Sequence, residues 1–178
     1  SRTYTLAADS TLVTDGYYLY AYQATTNVLL AFTITVSGAT ITITQTSSTP
    51  MHFDTAGDPL AMLVFANMKL VAATTKGKVY DCTAYLGGTK PTALPTAAYT
   101  PPVPTLRFVS GCSGRKAIYL LSVVGDRSAV HGFDIARSSS DGAIDTLVYS
   151  GVVAELPDGE IGKCIYSYLG YVAIGSNR

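Results

Sequence analysis

Apolar and polar residues alternate with a period of two along much of this chain. Residues 40–45 read Thr-Ile-Thr-Ile-Thr-Gln, one apolar face and one polar face, which predicts a half-buried strand. Further strand segments, separated by Gly, Asn, Ser and Asp turn signals, are expected at 3–7, 17–22, 28–35, 60–65, 69–74, 78–85, 105–109, 117–124, 129–136, 145–149, 161–166 and 171–175. One stretch breaks the rhythm. Gly87, Gly88, Pro91, Pro95, Pro101, Pro102 and Pro104 crowd residues 86–104, which predicts an extended surface loop rather than a central strand.

The strands recur in units. Residues 60–76 align with 161–177 without a gap at an offset of 101, with apolar residues coinciding at 60/161, 64/165, 65/166, 68/169, 70/171, 71/172 and 72/173. Tyr18, Leu70, Ile118 and Tyr171 mark successive units and stand 52, 48 and 53 residues apart. A period of about 50 residues, with three or four short antiparallel strands per unit, is the habit of a β-propeller blade. Val79-Tyr80-Asp81 and Phe133-Asp134-Ile135 supply an aromatic-plus-Asp cluster on the third strands. The expected fold is therefore all-β, antiparallel and β-propeller-like but partial: one domain over 1–178 with three to four incomplete blade-like repeats. A β-sandwich with evenly spaced strands is the alternative. The last unit stops at Arg178, whereas the earlier copy runs on through Gly77 into another strand. The expectation is a piece of a longer chain, with residues 171–175 pairing either with 3–7 or with a neighbouring molecule.

Composition strengthens the class. Two Glu and six Lys are set against thirteen Tyr and abundant Thr, so the residues that fill solvated helix faces are scarce and those that suit a pleated surface are plentiful. Hydrophobic residues at 48% exclude a disordered chain. No apolar run approaches the roughly 20 residues that span a bilayer, so no membrane insertion is expected. Twelve cations balance twelve carboxylates, and the balance holds along the chain: four against five over 1–89, eight against seven over 90–178. Even neutrality argues against a nucleic-acid partner. Charged residues make up only 13%, about half the usual share, which leaves a surface poorly guarded against association. Other copies of the chain or neighbouring assembly subunits are the expected partners.

The phrase Leu-Gly-Tyr-Val-Ala-Ile-Gly-Ser-Asn-Arg at 169–178, preceded by Ile-Gly-Lys-Cys-Ile at 161–165, resembles propeller-type repeats in tail and virion structural proteins of tailed bacteriophages. The likeness lies over 161–178, with a fainter echo over 60–76. It implies a non-enzymatic, multi-copy component of a phage tail, located in the virion, and it implies nothing about a catalytic residue.

Candidate chemistry is sparse. His52 and Asp54 stand two apart and could share a strand face; His131 and Asp134 stand three apart and could not. No nucleophile elbow accompanies either pair, so no catalytic residue is assigned. Asp54 and Asp58, and Asp141 and Asp145, flank glycines without the oxygen count of a calcium loop, so ordinary turns are expected and no metal or cofactor. Glu155 and Glu160 have no evident reason to converge as a glycosidase pair. Cys82, Cys112 and Cys164 lack metal or disulfide spacing and read as small buried hydrophobes, with one pair plus a leftover thiol as the alternative. Tyr18, Tyr20 and Tyr22 fall on one side of a strand, an aromatic stripe that could bind a glycan, or serve as core or interface. The reading is a structural and interaction domain of a multi-subunit assembly; a module binding a host-surface glycan or receptor is the alternative, and a propeller glycoside hydrolase the third.

Overall fold

The computed structural model of the chain describes residues 11–23, 28–50, 58–91, 95–137 and 144–177. Fourteen strands among them form four antiparallel sheets, none closed on itself. Sheet 1 holds β1 (Thr11–Thr14), β2 (Tyr18–Gln23), β3 (Val28–Ser37) and β4 (Thr40–Pro50). Sheet 2 holds β5 (Leu60–Ala66), β6 (Lys69–Thr74), β7 (Val79–Asp81) and β8 (Ala97–Tyr99). Sheet 3 holds β9 (Arg107–Ser113), β10 (Ala117–Val124), β11 (Arg127–Arg137) and β12 (Ile144–Glu155), and sheet 4 the hairpin of β13 (Ile161–Tyr168) and β14 (Tyr171–Asn177). In each sheet the strands pair in chain order.

The sheets stack face to face, and the alternation of each second strand feeds two cores at once. On β6, Leu70 and Ala72 pack with Tyr20, Tyr22 and Leu29 of sheet 1, while Val71 and Ala73 pack with Phe108, Ile118 and Phe133 of sheet 3. On β10, Ile118 and Leu120 face sheet 2, and Leu121 faces Ile165 of sheet 4. Burial of each large aliphatic side chain contributes roughly 1.5–3 kcal/mol. Both faces of these strands must therefore be apolar, as all six residues of β6 are buried. Neighbouring sheets meet most closely along their first strands, β1 against β5, β5 against β9 and β9 against β13.

Polar ties accompany the apolar ones. The Leu60 N–H donates to the Tyr22 hydroxyl (3.3 Å), and the Gly162 N–H donates to Ser128 Oγ (2.9 Å). These two donors occupy the same place in the repeat, at the start of β5 and of β13. Gly162 also has a packing reason to be glycine: a Cβ there would sit 2.9 Å from both Leu121 methyls.

The hairpins correct the repeat register. The β5–β6 turn is Asn67-Met68 and the β13–β14 turn is Leu169-Gly170, all four at positive φ, so equivalent residues stand 102 apart rather than 101. The strand bulges agree, one residue being skipped at Ala61 in β5 and at Lys163 in β13. A slip of one residue exchanges the two faces of a strand. The gap-free alignment matched apolar letters because both faces of these strands are apolar.

Residues 86–104 also differ from expectation. The strand expected at 78–85 ends at Asp81 and gives way to 3-10 turns over Thr83–Gly88, broken by a kink at Leu86 and Gly87; Ala97–Tyr99 forms β8, the edge strand of sheet 2, where prolines to either side do not interrupt a ladder. β1 lies at Thr11–Thr14; the strand expected at 3–7, and with it the pairing of 171–175 to that segment, falls outside the described residues.

Candidate functional site

The tyrosine stripe is interior. Tyr20 and Tyr22 are 0% and 1% exposed and Tyr18 is half-buried, because sheet 2 covers the face of β2 that carries them. Tyr20 and Tyr22 are core residues, the core alternative given for the stripe, and offer no surface to a ligand; Tyr18 stays partly exposed. The Tyr20 and Tyr22 hydroxyls are engaged within the protein. Asp15 accepts the Tyr17 and Tyr18 N–H groups on Oδ1 (2.8 and 2.7 Å) and the Tyr20 hydroxyl on Oδ2 (2.7 Å). The Gly87 N–H donates to the same Tyr20 oxygen at 2.9 Å. Burial opposes ionisation of Asp15, but the hydrogen bonds from Tyr18, Tyr20 and Tyr17 together outweigh it and hold the carboxyl below its usual range. Burial, assisted by the Asp15 charge, pushes Tyr20 up to about 12.

His131 stands on β11 at 3% exposure, among the rings of Tyr99, Phe108 and Tyr149. Ser122 Oγ lies 2.8 Å from Nε2 and Tyr149 OH 3.1 Å from Nδ1. With the Ser122 hydroxyl donating to the Ala129 carbonyl (3.2 Å), Nε2–H donates to Ser122 and Nδ1 accepts from Tyr149; with it donating to Nε2, Nδ1–H donates to the Tyr149 oxygen. Both ring nitrogens are thus engaged, and no carboxylate orients the ring. Burial lowers the His131 pKa, favouring the neutral form that this chain of bonds requires. Asp134 points away and is exposed, as the three-residue spacing requires.

A groove of about 220 Å³ borders this network, lined in part by Ser122, His131, Arg127, Glu155 and Asp158. It brings Glu155 and Asp158 to one lining, a convergence that chain spacing did not indicate. Both carboxylates are exposed, and Asp158 is engaged by Arg127 at 3.4 Å. Glu160 instead accepts the Ser176 hydroxyl (3.3 Å). Asp58 is buried and braces the turn after β6, accepting the Thr75 hydroxyl (3.1 Å) and the Lys76 N–H (2.8 Å). His52, Asp54 and Asp141, with the side chain of Asp145, fall outside the described residues. No cluster of three or more His, Cys, Asp or Glu that could hold a metal occurs among the described residues. No helix among them is long and apolar enough to cross a membrane.

Sheet 4 carries the most distinctive surface. Cross-strand pairs Cys164–Gly175, Tyr166–Ala173 and Tyr168–Tyr171 share the face turned away from Ile165, Ile174 and sheet 3. Tyr166, Tyr168 and Tyr171 are 56%, 62% and 80% exposed, and the first two rings stack at 6.4 Å. The equivalent positions of sheet 2, 102 residues earlier, are Val64, Ala66 and Lys69, with Met62, Val71 and Ala73 beside them. There the face is covered by sheet 3, and Ala66, Lys69, Val71 and Ala73 are all buried. Cys164 lies on the open face and is exposed, unlike the buried Cys82 and Cys112, so only two of the three cysteines are core residues. All three are free thiols, and burial pushes those of Cys82 and Cys112 upward. Sequence reading missed this face because its register was one residue out.

No protein-family model matches the chain, and no curated protein matches it either.

Proposed function

We propose that the chain is a non-enzymatic structural and interaction domain of a multi-subunit assembly, built as successive blades of β-propeller type. Its neighbour, another copy of the chain or an adjoining subunit, would be received on the open face of β13–β14. One observation carries the reading: the face bearing Cys164, Tyr166, Tyr168 and Tyr171 is uncovered, whereas its counterpart in sheet 2 is buried under the next sheet. A partner that presents an apolar sheet would repeat a contact the chain already makes between its own sheets. The propeller reading is supported by four-stranded meanders in chain order and by first strands that run side by side from sheet to sheet. A tailed-phage tail or virion is the setting suggested by the phrase at 169–178. A structural role agrees with the saturated hydrogen bonding of His131, whose two nitrogens are spent inside the core.

Sedimentation velocity across a concentration series, combined with maleimide labelling of Cys164, tests the reading. Self-association that slows labelling of Cys164, and that Tyr168→Lys with Tyr171→Lys abolishes, is the expected result. A chain that stays monomeric, with Cys164 equally reactive at every concentration, counts against self-assembly through this face.

A further inference from the structure

The first-to-second-strand turns of sheets 2, 3 and 4 lie at one end of the stack, and two clefts open between them. The first, about 500 Å³, is lined by Asn67, Met68, Arg115, Lys116, Ile135 and Arg137. Among the described residues three cations and no carboxylate meet in that lining, on a chain whose net charge is zero. Arg115 and Lys116 are exposed, and neither makes an ion pair among the described residues. The second cleft, about 480 Å³, shares Arg115 with the first and adds Tyr119, Tyr168 and Tyr171 with Ser113 and Ser167.

The walls are braced. Asn67 Nδ2 donates to the Gly114 and Ala117 carbonyls, 2.9 Å each, and so fixes the turn of sheet 2 against the turn that carries Arg115 and Lys116. The ring of Tyr119 lies against Gly114 so closely that a Cβ there would clash with it. A ring held on backbone loses little freedom when something stacks on it.

From this juxtaposition we infer that the turn end of the stack binds an acidic oligosaccharide, its carboxylate held by Arg115 and Lys116 in the first cleft and the neighbouring sugar ring set against the tyrosines of the second. Guanidinium groups suit carboxylates through paired hydrogen bonds, and tyrosine offers both a face for the C–H side of a sugar ring and a hydroxyl for its edge. A small inorganic anion would use only the first cleft, and a neutral sugar only the second. Arg115, common to both linings, makes a ligand with both chemistries the best fit. This inference does not rest on the assembly reading, but it uses Tyr168 and Tyr171 of the same open face, so a neighbour seated there and the oligosaccharide would exclude one another.

Calorimetric titration of the full chain with hexagalacturonate, maltohexaose and hexaglutamate tests it. The expected result is saturable, salt-sensitive binding of hexagalacturonate, with maltohexaose and hexaglutamate each weaker by about tenfold or more. Arg115→Gln should weaken hexagalacturonate by about tenfold or more, and Arg127→Gln, at the opposite end of β10, should leave it unchanged. Both residues are exposed, and an unaltered circular dichroism melt shows that each variant is folded. Three results would overturn the inference: no saturable binding of hexagalacturonate at millimolar concentration, equal binding by Arg115→Gln, or hexaglutamate binding as tightly as the sugar acid.

Discussion

Asn67→Ala is expected to be the most informative single change in the stack, because one side chain ties two sheets and one backbone angle depends on it. Asn67 Nδ2 donates to the carbonyls of Gly114 and Ala117, and the residue sits at φ 49°, in the left-handed region. The Ala117 carbonyl keeps a second donor, the Gly114 N–H at 2.7 Å, so the loss falls chiefly on Gly114. The hydrogen-bond part is therefore about 1–2 kcal/mol. Alanine in the left-handed region adds about 1 kcal/mol that asparagine largely escapes. The sum is about 2–3 kcal/mol. Asn67→Gly loses the same bonds without the backbone penalty and should cost about 1 kcal/mol less than alanine. Urea unfolding, read as a change in midpoint at constant slope, measures both variants. If alanine is neutral, the bridge between turns contributes nothing; if alanine and glycine cost the same, the backbone term is wrong.

Lys69→Met should destabilise by about 1–3 kcal/mol in the same urea assay, since it takes the buried cation from Asp81, a half-buried carboxylate whose other oxygen still accepts from the Thr83 N–H and hydroxyl. Tyr20→Phe removes a hydroxyl shared between Asp15 and Gly87 and should cost about 1.5–3 kcal/mol, seen as a lower melting midpoint. His131 has a folded pKa below its ordinary 6.5, so the unfolded chain takes up the proton first. Its contribution is complete above 6.5 and lost as pH falls through the lower folded pKa; His131→Phe should therefore show a smaller loss of urea midpoint on acidification than the parent. Met68 stands at φ 62° in a turn whose counterpart has Gly170, so Met68→Gly should raise stability by about 1 kcal/mol in thermal unfolding.

Strand positions were legible because period two survives in single residues: β6 and β10 lie where their sequences place them, at Lys69–Thr74 and Ala117–Val124. What period two cannot tell is how many faces are covered. For Tyr18, Tyr20 and Tyr22 the alternation of β2 left ligand surface, core and interface all open, because it cannot show which sheet packs upon that side. The same ambiguity moved the repeat by one residue, since apolar letters on both faces let an offset of 101 score as well as 102. β8 was hidden for a different reason. Three residues among prolines carry too little pattern to register as a strand, and only the edge of sheet 2, where Tyr99 meets Phe108 and Tyr149, gives them a place. The clefts at the turn end were not legible at all, because Arg115, Lys116 and Arg137 are brought together by hairpin geometry and not by spacing.

The interleaving of cores gives the stack a direction. Sheets 2 and 3 are each packed on both faces, and their second strands divide alternate side chains between two cores. Among the described residues sheet 4 is held on one face alone, by Ile165 and Ile174 against Cys112, Leu121 and Val130. Two side-chain bonds assist, from Gly162 N–H to Ser128 and from Ile165 N–H to Ser110 (3.2 Å). Its other face leaves three tyrosines in water. A two-stranded hairpin is marginal by itself, so sheet 4 depends on sheet 3 for its order. In nearest-neighbour terms it has one interface where sheets 2 and 3 have two. Covering the open face would supply sheet 4 with a second interface and would bury aromatic area that has no packing partner there among the described residues.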